Sequence, residues 1–309
     1  TFIFALISLS FIYSTDLLAQ LTFTNSTNGF AENRVRGVFA EGSNVYAATQ
    51  GGLAISTDGG ASFSNKTTAN GLGHNIVYGV VVSKGVIYAA TLGGLSISKD
   101  GGNSFVNRTT ADGLAHNQTY DVGIMNGVVI CVATEAGLSM SGDGGTSFSN
   151  KTTADGLGAN ATMRLFINGS TLYAGTQGGL SISVNGGNTF FNSTSGLADK
   201  FIRSIFVEGG KIYVGTNTRG LAVSTDDGAS FTTTSGMGSG QVYGIYASGA
   251  NIYVATQGGG VYSSTDGGSS YVNSTTSNGL GNNNQDCLFV DGTTLYVGTR
   301  GGLSKASIR

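Results

Sequence analysis

A chain of 309 residues with 52 glycines, no proline and no tryptophan favours short strands joined by glycine turns, and it predicts an all-β protein. The formal net charge is −2 and the basic residues form no runs, which argues against a nucleic-acid partner and against a basic membrane-surface helix. Cys131 and Cys287 lie in separate strand patterns without metal-ligand spacing, so we interpret both as small core residues.

The first 20 residues differ from the rest of the chain. An apolar run from Thr1 to Tyr13 is too short to span a bilayer comfortably, and polar residues and then Leu17-Leu18-Ala19-Gln20 follow it. This order resembles a signal peptide with its cleavage site, so we expect a protein that is secreted or held at the cell surface. The alternative is that residues 1–20 remain as an apolar segment that packs in a filament or attaches to a membrane, and we expect a membrane partner only in that case.

Residues 21–309 carry an internal repeat. The block STDGGASF at residues 56–63 returns as SKDGGNSF, SGDGGTSF, SVNGGNTF, STDDGASF and STDGGSSY, at spacings of 40 to 43 residues. The third position of the block is occupied in turn by Asp58, Asp100, Asp143, Asn185, Asp226 and Asp266. A period of this length is typical of the four-stranded blades of a β-propeller.

Four strand patterns fit inside each period, and we label them a to d. Strands a and b occur seven times, strand c follows a Gly-Gly turn, and strand d starts at the aromatic residue of the repeated block. The seventh copy stops after strand c, whereas residues 21–30 match strand d and the following loop of the first full copy. The sequence therefore predicts one domain over residues 21–309, a seven-bladed propeller of four-stranded antiparallel blades closed by an N-terminal velcro strand.

The pattern S-x-D-x-G-x-x-F resembles the Asp-box, or BNR repeat, of a β-propeller family that includes sialidases, sortilin-type receptors and photosystem assembly factors. The resemblance covers residues 21–309 and implies the fold, while the functional range of the family implies no single activity. We expect a structural role, in which the carboxylate accepts hydrogen bonds from turn N–H groups and the aromatic side chain packs beneath the turn. Asn185 in the fourth copy fits hydrogen bonding better than a required charge.

The sequence offers little support for catalysis. A sialidase-like activity would need an arginine cluster, a Tyr–Glu pair and an acid–base residue, and a chain without proline cannot contain the Arg-Ile-Pro motif. Glycosidases need two facing carboxylates, but Asp112 and Asp155 lie in copies of one TTADGL loop. His74 and His116 occupy equivalent loops without a third ligand, which favours turn polarity over a metal. We therefore expect no enzyme activity, no cofactor and no metal.

The second position of strand a varies around the ring while strands b and c are nearly constant. Its side chains would enter one mouth of the central channel, where propellers usually bind partners. Tyr and Arg suit glycan stacking and protein hot spots. Around the ring the position holds Arg36, Tyr78, Tyr120, Met163, Arg203, Tyr243 and Asp286, and all of these except Met163 are candidate ligand-binding residues. The alternative is that they only fill space between blades.

The glycosylation sequon N-x-[ST] recurs along the chain. It occurs at Asn25, Asn65, Asn107, Asn117, Asn150, Asn160, Asn168, Asn192 and Asn273. Six of the nine occupy one repeat position in the outermost strand, so the sequence predicts a glycoprotein with a ring of sugars if the host glycosylates this sequon. The alternative is that Asn-x-Thr suits an edge strand and was copied with the repeat.

Three functions remain open from the sequence. The leading hypothesis is a non-enzymatic extracellular binding or scaffold propeller that recognises a glycan or a protein at a channel mouth, since no blade carries the long insertion that a catalytic site usually needs. The second is a subunit of a surface filament or coat, self-assembled through stacked propellers and the N-terminal apolar segment. The third is a sialidase-like, glycan-cleaving enzyme.

Overall fold

The computed structural model describes residues 20–238 and 240–308, so the predicted signal peptide lies outside the described residues apart from Gln20. Within this part the chain forms 28 strands in seven four-stranded antiparallel sheets, and the predicted all-β, seven-bladed propeller is confirmed. The helical segments described here are 3₁₀ turns of three residues each, at Thr68–Asn70, Thr110–Asp112, Thr153–Asp155 and Thr276–Asn278. Over the same residues no helix is long and apolar enough to cross a membrane.

Strand β1 (Thr24–Ser26) precedes six blades that follow one another along the chain, each built from strands a to d in order. The first is β2 (Val35–Glu41), β3 (Asn44–Thr49), β4 (Gly52–Ser56) and β5 (Ser64–Lys66). The second is β6 (Val77–Ser83), β7 (Val86–Thr91), β8 (Gly94–Ser98) and β9 (Val106–Arg108). The third is β10 (Thr119–Met125), β11 (Val129–Thr134), β12 (Gly137–Ser141) and β13 (Ser149–Lys151).

The next three blades repeat this order. The fourth is β14 (Thr162–Asn168), β15 (Thr171–Thr176), β16 (Gly179–Ser183) and β17 (Phe191–Ser193). The fifth is β18 (Ile202–Glu208), β19 (Lys211–Thr216), β20 (Leu221–Ser224) and β21 (Thr232–Thr233). The sixth is β22 (Val242–Ser248), β23 (Asn251–Thr256), β24 (Gly260–Ser264) and β25 (Val272–Ser274).

The seventh blade combines both ends of the domain. It contains β26 (Gln285–Asp291), β27 (Thr294–Thr299) and β28 (Gly302–Ser307), and β1 is its fourth, outermost strand. The pairing of β1 with β28 is antiparallel and sets Asn25 opposite Ser304. A strand from one end of the chain therefore completes the blade formed by the other end.

Strand d begins one residue later than the sequence predicts. The aromatic residue of the repeated block stands outside the ladder because its backbone N–H bonds to the loop that enters the blade from the previous one. Phe63 donates to the carbonyl of Asn28 at 3.1 Å, and Phe105 donates to that of Asn70 at 2.8 Å. Strand d is therefore short, with three residues in β5 and two in β21.

This loop-to-blade bond recurs around the ring. The N–H groups that make it belong to Phe23, Phe63, Phe105, Phe148, Phe190 and Phe231. Between the fifth and sixth blades the described residues make a different contact, in which the N–H of Gly238 donates to the hydroxyl of Tyr262 at 3.0 Å. One blade interface therefore departs from the other six.

The hydrophobic core lies between blades. In the described part of the chain it consists of seven apolar clusters, and each cluster combines residues of two consecutive blades. Between the first and second blades, for example, Leu53 packs in one cluster with Val77 and Ile87, all almost completely buried. Because burial of apolar surface is the main driving force of folding, the blades stabilise one another as a ring.

Candidate functional site at the channel mouth

The inner strands β2, β6, β10, β14, β18, β22 and β26 surround a central channel with a volume of about 480 Å³. They all start at the same end of the channel, which we call the upper mouth. The hairpins that join strands a and b lie at the lower end. Positions are counted from the first residue of each inner strand, so Val35 is the first position of β2.

Every inner strand carries a β-bulge at its second position. Pairing with strand b jumps from the first residue to the third, as from Val35 to Gly37 and from Val77 to Gly79, and the same shift occurs in all seven blades. A bulge leaves its extra residue unpaired and re-aims the side chain. The residue released in this way is the variable second position found in the sequence.

The bulge residues form a ring at the upper mouth. We call this set, Arg36, Tyr78, Tyr120, Met163, Arg203, Tyr243 and Asp286, the upper-mouth ring. The guanidinium of Arg36 lies 5.0 Å from the ring centre of Tyr78, and the rings of Tyr78 and Tyr120 meet edge-on at 5.4 Å. Arg203 lies 5.4 Å from the ring centre of Tyr243. Five of the six predicted candidates therefore contact another candidate, in one group of three and one pair. Arg36, Tyr78 and Tyr243 also border the channel itself.

Asp286 differs from the other candidates because it is almost completely buried and ion-paired. Arg34, in the loop before β2, donates from Nε to Oδ2 at 2.7 Å and from Nη2 to Oδ1 at 3.0 Å. Burial lowers the pKa of Arg34, but the hydrogen bond and the charge of Asp286 outweigh it and the net pKa is raised. Asp286 thus holds the seam between the last blade and the first, and its role in ligand binding stays a prediction.

Arg36, unlike Arg34, has an unsatisfied hydrogen-bond donor. Its Nε is buried and has no hydrogen-bond partner among the described residues. Burial lowers its pKa, and repulsion from Arg34 lowers it further. The charge of Asp286, which is bound to Arg34, offsets part of this effect. A partly buried cation without a carboxylate of its own is costly, and an anion at the upper mouth would relieve that cost.

Tyr120 and Arg203 are fixed by neighbours on the rim. The hydroxyl of Tyr120 donates to Glu135 and accepts from Gln118 Nε2 at 2.7 Å, and burial, followed by the Glu135 bond, raises its pKa. Arg203 stacks on Phe201 at 3.9 Å and donates from Nε to Asn217 Oδ1 at 3.0 Å. Both side chains remain half-exposed, so they present preorganised surfaces to a ligand.

Two charged residues just below the upper mouth were missed by sequence reasoning. Asp121 and Arg164 occupy the third position of adjacent blades, where other copies have Gly, Ser or Cys. Asp121 accepts from the N–H of Leu165 and from that of Val122, both at 2.9 Å, and desolvation raises its pKa although the side chain still touches the channel. The available signal was the charge at an otherwise small position.

The fifth position of the inner strands forms a second ring, at the lower end of the channel. Aromatic residues fill it in five blades, and we call these residues the aromatic collar: Phe39, Phe166, Phe206, Tyr246 and Phe289. Phe206 lies 5.3 Å from Phe166 and 5.1 Å from Tyr246, and Phe39 lies 5.3 Å from Phe289. The collar is half-buried and faces the channel, so the channel is charged above and apolar below.

The repeated aspartates lie far from this channel, in the hairpins between strands c and d. Asp143 Oδ1 accepts from the N–H groups of Thr146 and Ser147 at 3.0 Å, while the hydroxyl of Ser147 donates to Oδ2 at 2.6 Å. Hydrogen bonds to serines lower the pKa of Asp143, and the same cause lowers that of Asp226 to about 2. Asn185 accepts from the N–H of Thr189 at 3.1 Å in the equivalent place. The repeated Asp or Asn therefore stabilises the turn between strands c and d by accepting hydrogen bonds from its N–H groups.

The repeat-position asparagines of the sequons also make structural bonds. Asn107 Nδ2 donates to the carbonyl of Gly93 at 2.8 Å, and its Oδ1 accepts from Ser96 at 3.0 Å. Asn25 and Asn192 donate to the equivalent carbonyls of Gly301 and Gly178, whereas Asn150 donates to the carbonyl of Gly113 in the loop that precedes its blade. Glycosylation at these asparagines stays a prediction, but their amide nitrogens are already engaged by the fold.

Each of the two histidines accepts a hydrogen bond from a backbone N–H group within its own loop. His74 Nδ1 accepts from the N–H of Ile76 and His116 Nδ1 from that of Gln118, each at 2.9 Å. Asp199 accepts from Phe201 in the same manner in another loop. Across residues 20–238 and 240–308 no group of three His, Cys, Asp or Glu side chains has the arrangement of a metal site.

The fold and its bulged channel mouth define the class of this protein as a seven-bladed β-propeller. No protein-family model matches the chain, and no curated protein matches it. The extracellular domain of the putative hybrid two-component system BT3049 from B. thetaiotaomicron is similar, with a TM-score of 0.78 and 21% identity over 94% of this chain. This chain spans 42% of the length of that one.

Two further solved structures share the fold. YCF48 from Cyanidioschyzon merolae has a TM-score of 0.72 and 14% identity, over 94% of this chain and 99% of that one, and YCF48 has also been solved bound to a D1 peptide. The GH74 enzyme of Niastella koreensis has a TM-score of 0.65 and 19% identity, over 89% of this chain and 43% of that one. At these identities the similarity shows the fold alone, and the neighbours include both an enzyme and a peptide-binding protein.

Proposed function

We propose that the chain is a non-enzymatic, extracellular binding propeller that recognises a glycan or a protein segment at the upper mouth. The observation that carries the proposal is the series of β-bulges, which turns an Arg or a Tyr toward the mouth in five of the seven blades. Planar aromatic rings and guanidinium groups give large, rigid contact area at small entropic cost. The extracellular domain of BT3049, which shares the fold, supports an extracellular location for this propeller.

The carboxylates near the mouth support a binding function over a catalytic one. Asp286 is engaged by Arg34 and Asp121 by two backbone N–H groups, while Tyr120 donates to Glu135. Asp199 accepts from the hydroxyl of Thr218 at 2.7 Å. Hydrolysis of a glycosidic bond needs one carboxylic acid and one free carboxylate across a cleft, and these four groups are committed elsewhere.

A surface-assembly function has one observation in its favour. Val184 and Phe191 are 68% and 48% exposed on the outer hairpin of the fourth blade, where the other copies of the position of Val184 are polar or Gly. Two exposed apolar side chains on one hairpin offer a small apolar contact surface to a second copy of the propeller. A filament or coat subunit would use this outer edge and leave the upper mouth free.

Binding of the wild-type propeller to glycan and peptide arrays tests the proposal, with Tyr78→Ala and Arg203→Ala as mouth variants. We expect ligands whose affinity falls about tenfold or more in each variant, as truncation of a hot spot costs about 2 kcal/mol. Lys99→Ala, an exposed cation on a c–d hairpin, serves as the matched control and should bind as the wild type does. Equal binding by all variants would place the site elsewhere, and turnover of glycans on the array would establish an enzyme.

A further inference from the structure

The lining of the channel changes from charged side chains at the upper mouth to apolar ones at the lower end, and binding at the rim does not require this change. Arg36 and Arg164 line its upper part, whereas its lower part is lined by the aromatic collar together with Val81 and Ile124. The collar residues also pack against the apolar clusters between blades, and the part of each ring that remains exposed lines the channel. The gradient from guanidinium to phenyl groups is a specific feature of the inner strands.

The charged side chains in the upper part of the channel differ in how fully they are paired. Arg34 is paired with Asp286, and Asp121 near Arg164 directs both carboxylate oxygens to backbone N–H groups. Arg164 itself donates to the carbonyl of Met163 at 2.9 Å. Among the described residues Arg36 has no hydrogen-bonded carboxylate and its Nε has no acceptor, although Asp286, which is bound to Arg34, lies close enough to act on its charge. The upper part of the channel therefore offers a bound anion a cation that has no carboxylate of its own.

We propose that the channel binds a medium-chain carboxylate, with the carboxylate group against Arg36 and the alkyl chain along the aromatic collar. This ligand class goes beyond recognition at the rim and shares with the proposed function only the use of Arg36. Guanidinium groups bind carboxylates through charge-assisted hydrogen bonds. Aromatic side chains supply large apolar area to an alkyl chain.

The dimensions of the channel select the length of the chain. From the second to the fifth position an inner strand rises about 10 Å, at about 3.3 Å per residue. An extended alkyl chain of about eight to ten carbons, with zigzag bonds of about 1.5 Å, covers the same depth. The volume of about 480 Å³ is in the range that holds small ligands in proteins. Decanoate is therefore the probe that fits the channel best.

Isothermal titration calorimetry with a series of alkanoates from hexanoate to tetradecanoate, each below its micelle concentration, tests the proposal. Affinity should rise about fourfold for each added methylene up to decanoate, and then level off where the chain leaves the channel. Decanol and decyltrimethylammonium have the same tail with a neutral and a cationic head. Both should bind more weakly than decanoate, and the cation should bind most weakly.

Two variants with matched controls locate the ligand. Arg36→Gln should reduce the affinity for decanoate to that for decanol, while Lys99→Gln leaves it unchanged. Phe206→Ala should flatten the dependence on chain length, while Phe191→Ala, which removes an exposed phenyl ring at the outer edge, leaves it unchanged. Thermal unfolding of each variant identifies any that fails to fold. If Phe206→Ala fails to fold, Arg36→Gln alone tests whether the channel binds decanoate, because the Arg36 side chain is half-exposed and polar.

The outcomes separate this proposal from the proposed function. Absence of saturable decanoate binding, equal affinity for the cationic probe, or wild-type behaviour of Arg36→Gln would each overturn carboxylate binding in the channel. Array ligands that depend on Tyr78 and Arg203 would in that case still support recognition at the rim. Decanoate binding without any array ligand would have the opposite meaning, since the channel would then be occupied while the rim proposal fails.

Discussion

Arg34 and Asp286 join the first and last blades through two parallel hydrogen bonds, although 252 residues separate them in the chain. The pair lies at the seam where the ring closes, next to the upper-mouth ring to which Asp286 belongs. Its carboxylate side chain is 5% exposed and its guanidinium side chain 24% exposed. Such a pair, once one partner is removed, leaves a partly buried charge without compensation.

We therefore expect Asp286→Asn to lower the free energy of unfolding by about 1–3 kcal/mol, as for loss of a charged hydrogen bond. Urea denaturation of the wild type and the variant measures this loss. Asp291→Asn is the matched control, because Asp291 also crosses the seam, to the N–H of Gly42 at 2.9 Å, but in an exposed place. An equal loss in both variants would contradict a special role of the ion pair.

The repeated aspartates predict how stability depends on pH. In Asp58, Asp100, Asp143, Asp226 and Asp266 hydrogen bonds to the ionised carboxylate lower the pKa in the folded state below the unfolded value of about 3.9. A lowered folded pKa contributes stability that is fully present above the unfolded pKa and is lost as pH falls toward the folded pKa. The melting temperature should therefore drop steeply between about pH 4 and pH 2.

The fourth blade supplies the control for this pH dependence, since Asn185 does not titrate. Replacing the five aspartates by Asn, as in that blade, should flatten the acid limb of the melting curve while the fold persists. A limb of unchanged steepness in the fivefold variant would assign the acid sensitivity to other carboxylates, such as Asp112, whose pKa is lowered by a bond from the Thr109 N–H.

The thiols should be inert in the folded protein. Burial raises the pKa of both Cys131 and Cys287 to about 12, so at about pH 8 only about one thiol in 10⁴ is a reactive thiolate. Reaction with a colorimetric disulfide reagent should be slow in the native state and should reach two thiols per chain in denaturant. Rapid reaction of one native thiol would show that the channel wall at Cys287 is open to reagents.

Asn107 and Asn168 should respond differently to replacement by Ala. Asn107 loses its bonds with Gly93 and Ser96, which should cost about 1–2 kcal/mol of unfolding free energy. Asn168 lies exposed at the end of β14, so its replacement should change the unfolding free energy by less than about 0.5 kcal/mol. Denaturant titration of both variants measures the difference, and equal losses would contradict a structural role for the repeat-position asparagines.

The internal repeat allowed the fold to be predicted from the sequence. The period of the Asp blocks gave the number of strands per blade, and the resemblance of residues 21–30 to a strand d predicted which blade β1 would complete. The variable second position of strand a was visible because its neighbours are nearly constant. These signals are local or periodic, and that is why a single sequence carries them.

The remaining features depend on distance in space or on one extra residue. A bulge leaves no mark in the hydrophobic pattern of an inner strand, so the reason why Arg36 reaches the mouth could not be read from the sequence. The pairing of Arg34 with Asp286 joins different repeats. The sequence predicts Phe63 at the start of a strand, because propensity cannot show that its N–H bonds to Asn28 in another loop.

The interface between the fifth and sixth blades has a consequence for how the ring moves. Among its described residues this interface lacks the aromatic-to-loop bond found at the other six, and it follows the shortest outer strand, Thr232–Thr233. The apolar cluster of Tyr213, Val242 and Ile252 nevertheless fills this interface, so the ring stays closed there. The motion that this interface should permit is local fraying of the outer strand, whose amide hydrogens should exchange with solvent faster than those of the other outer strands.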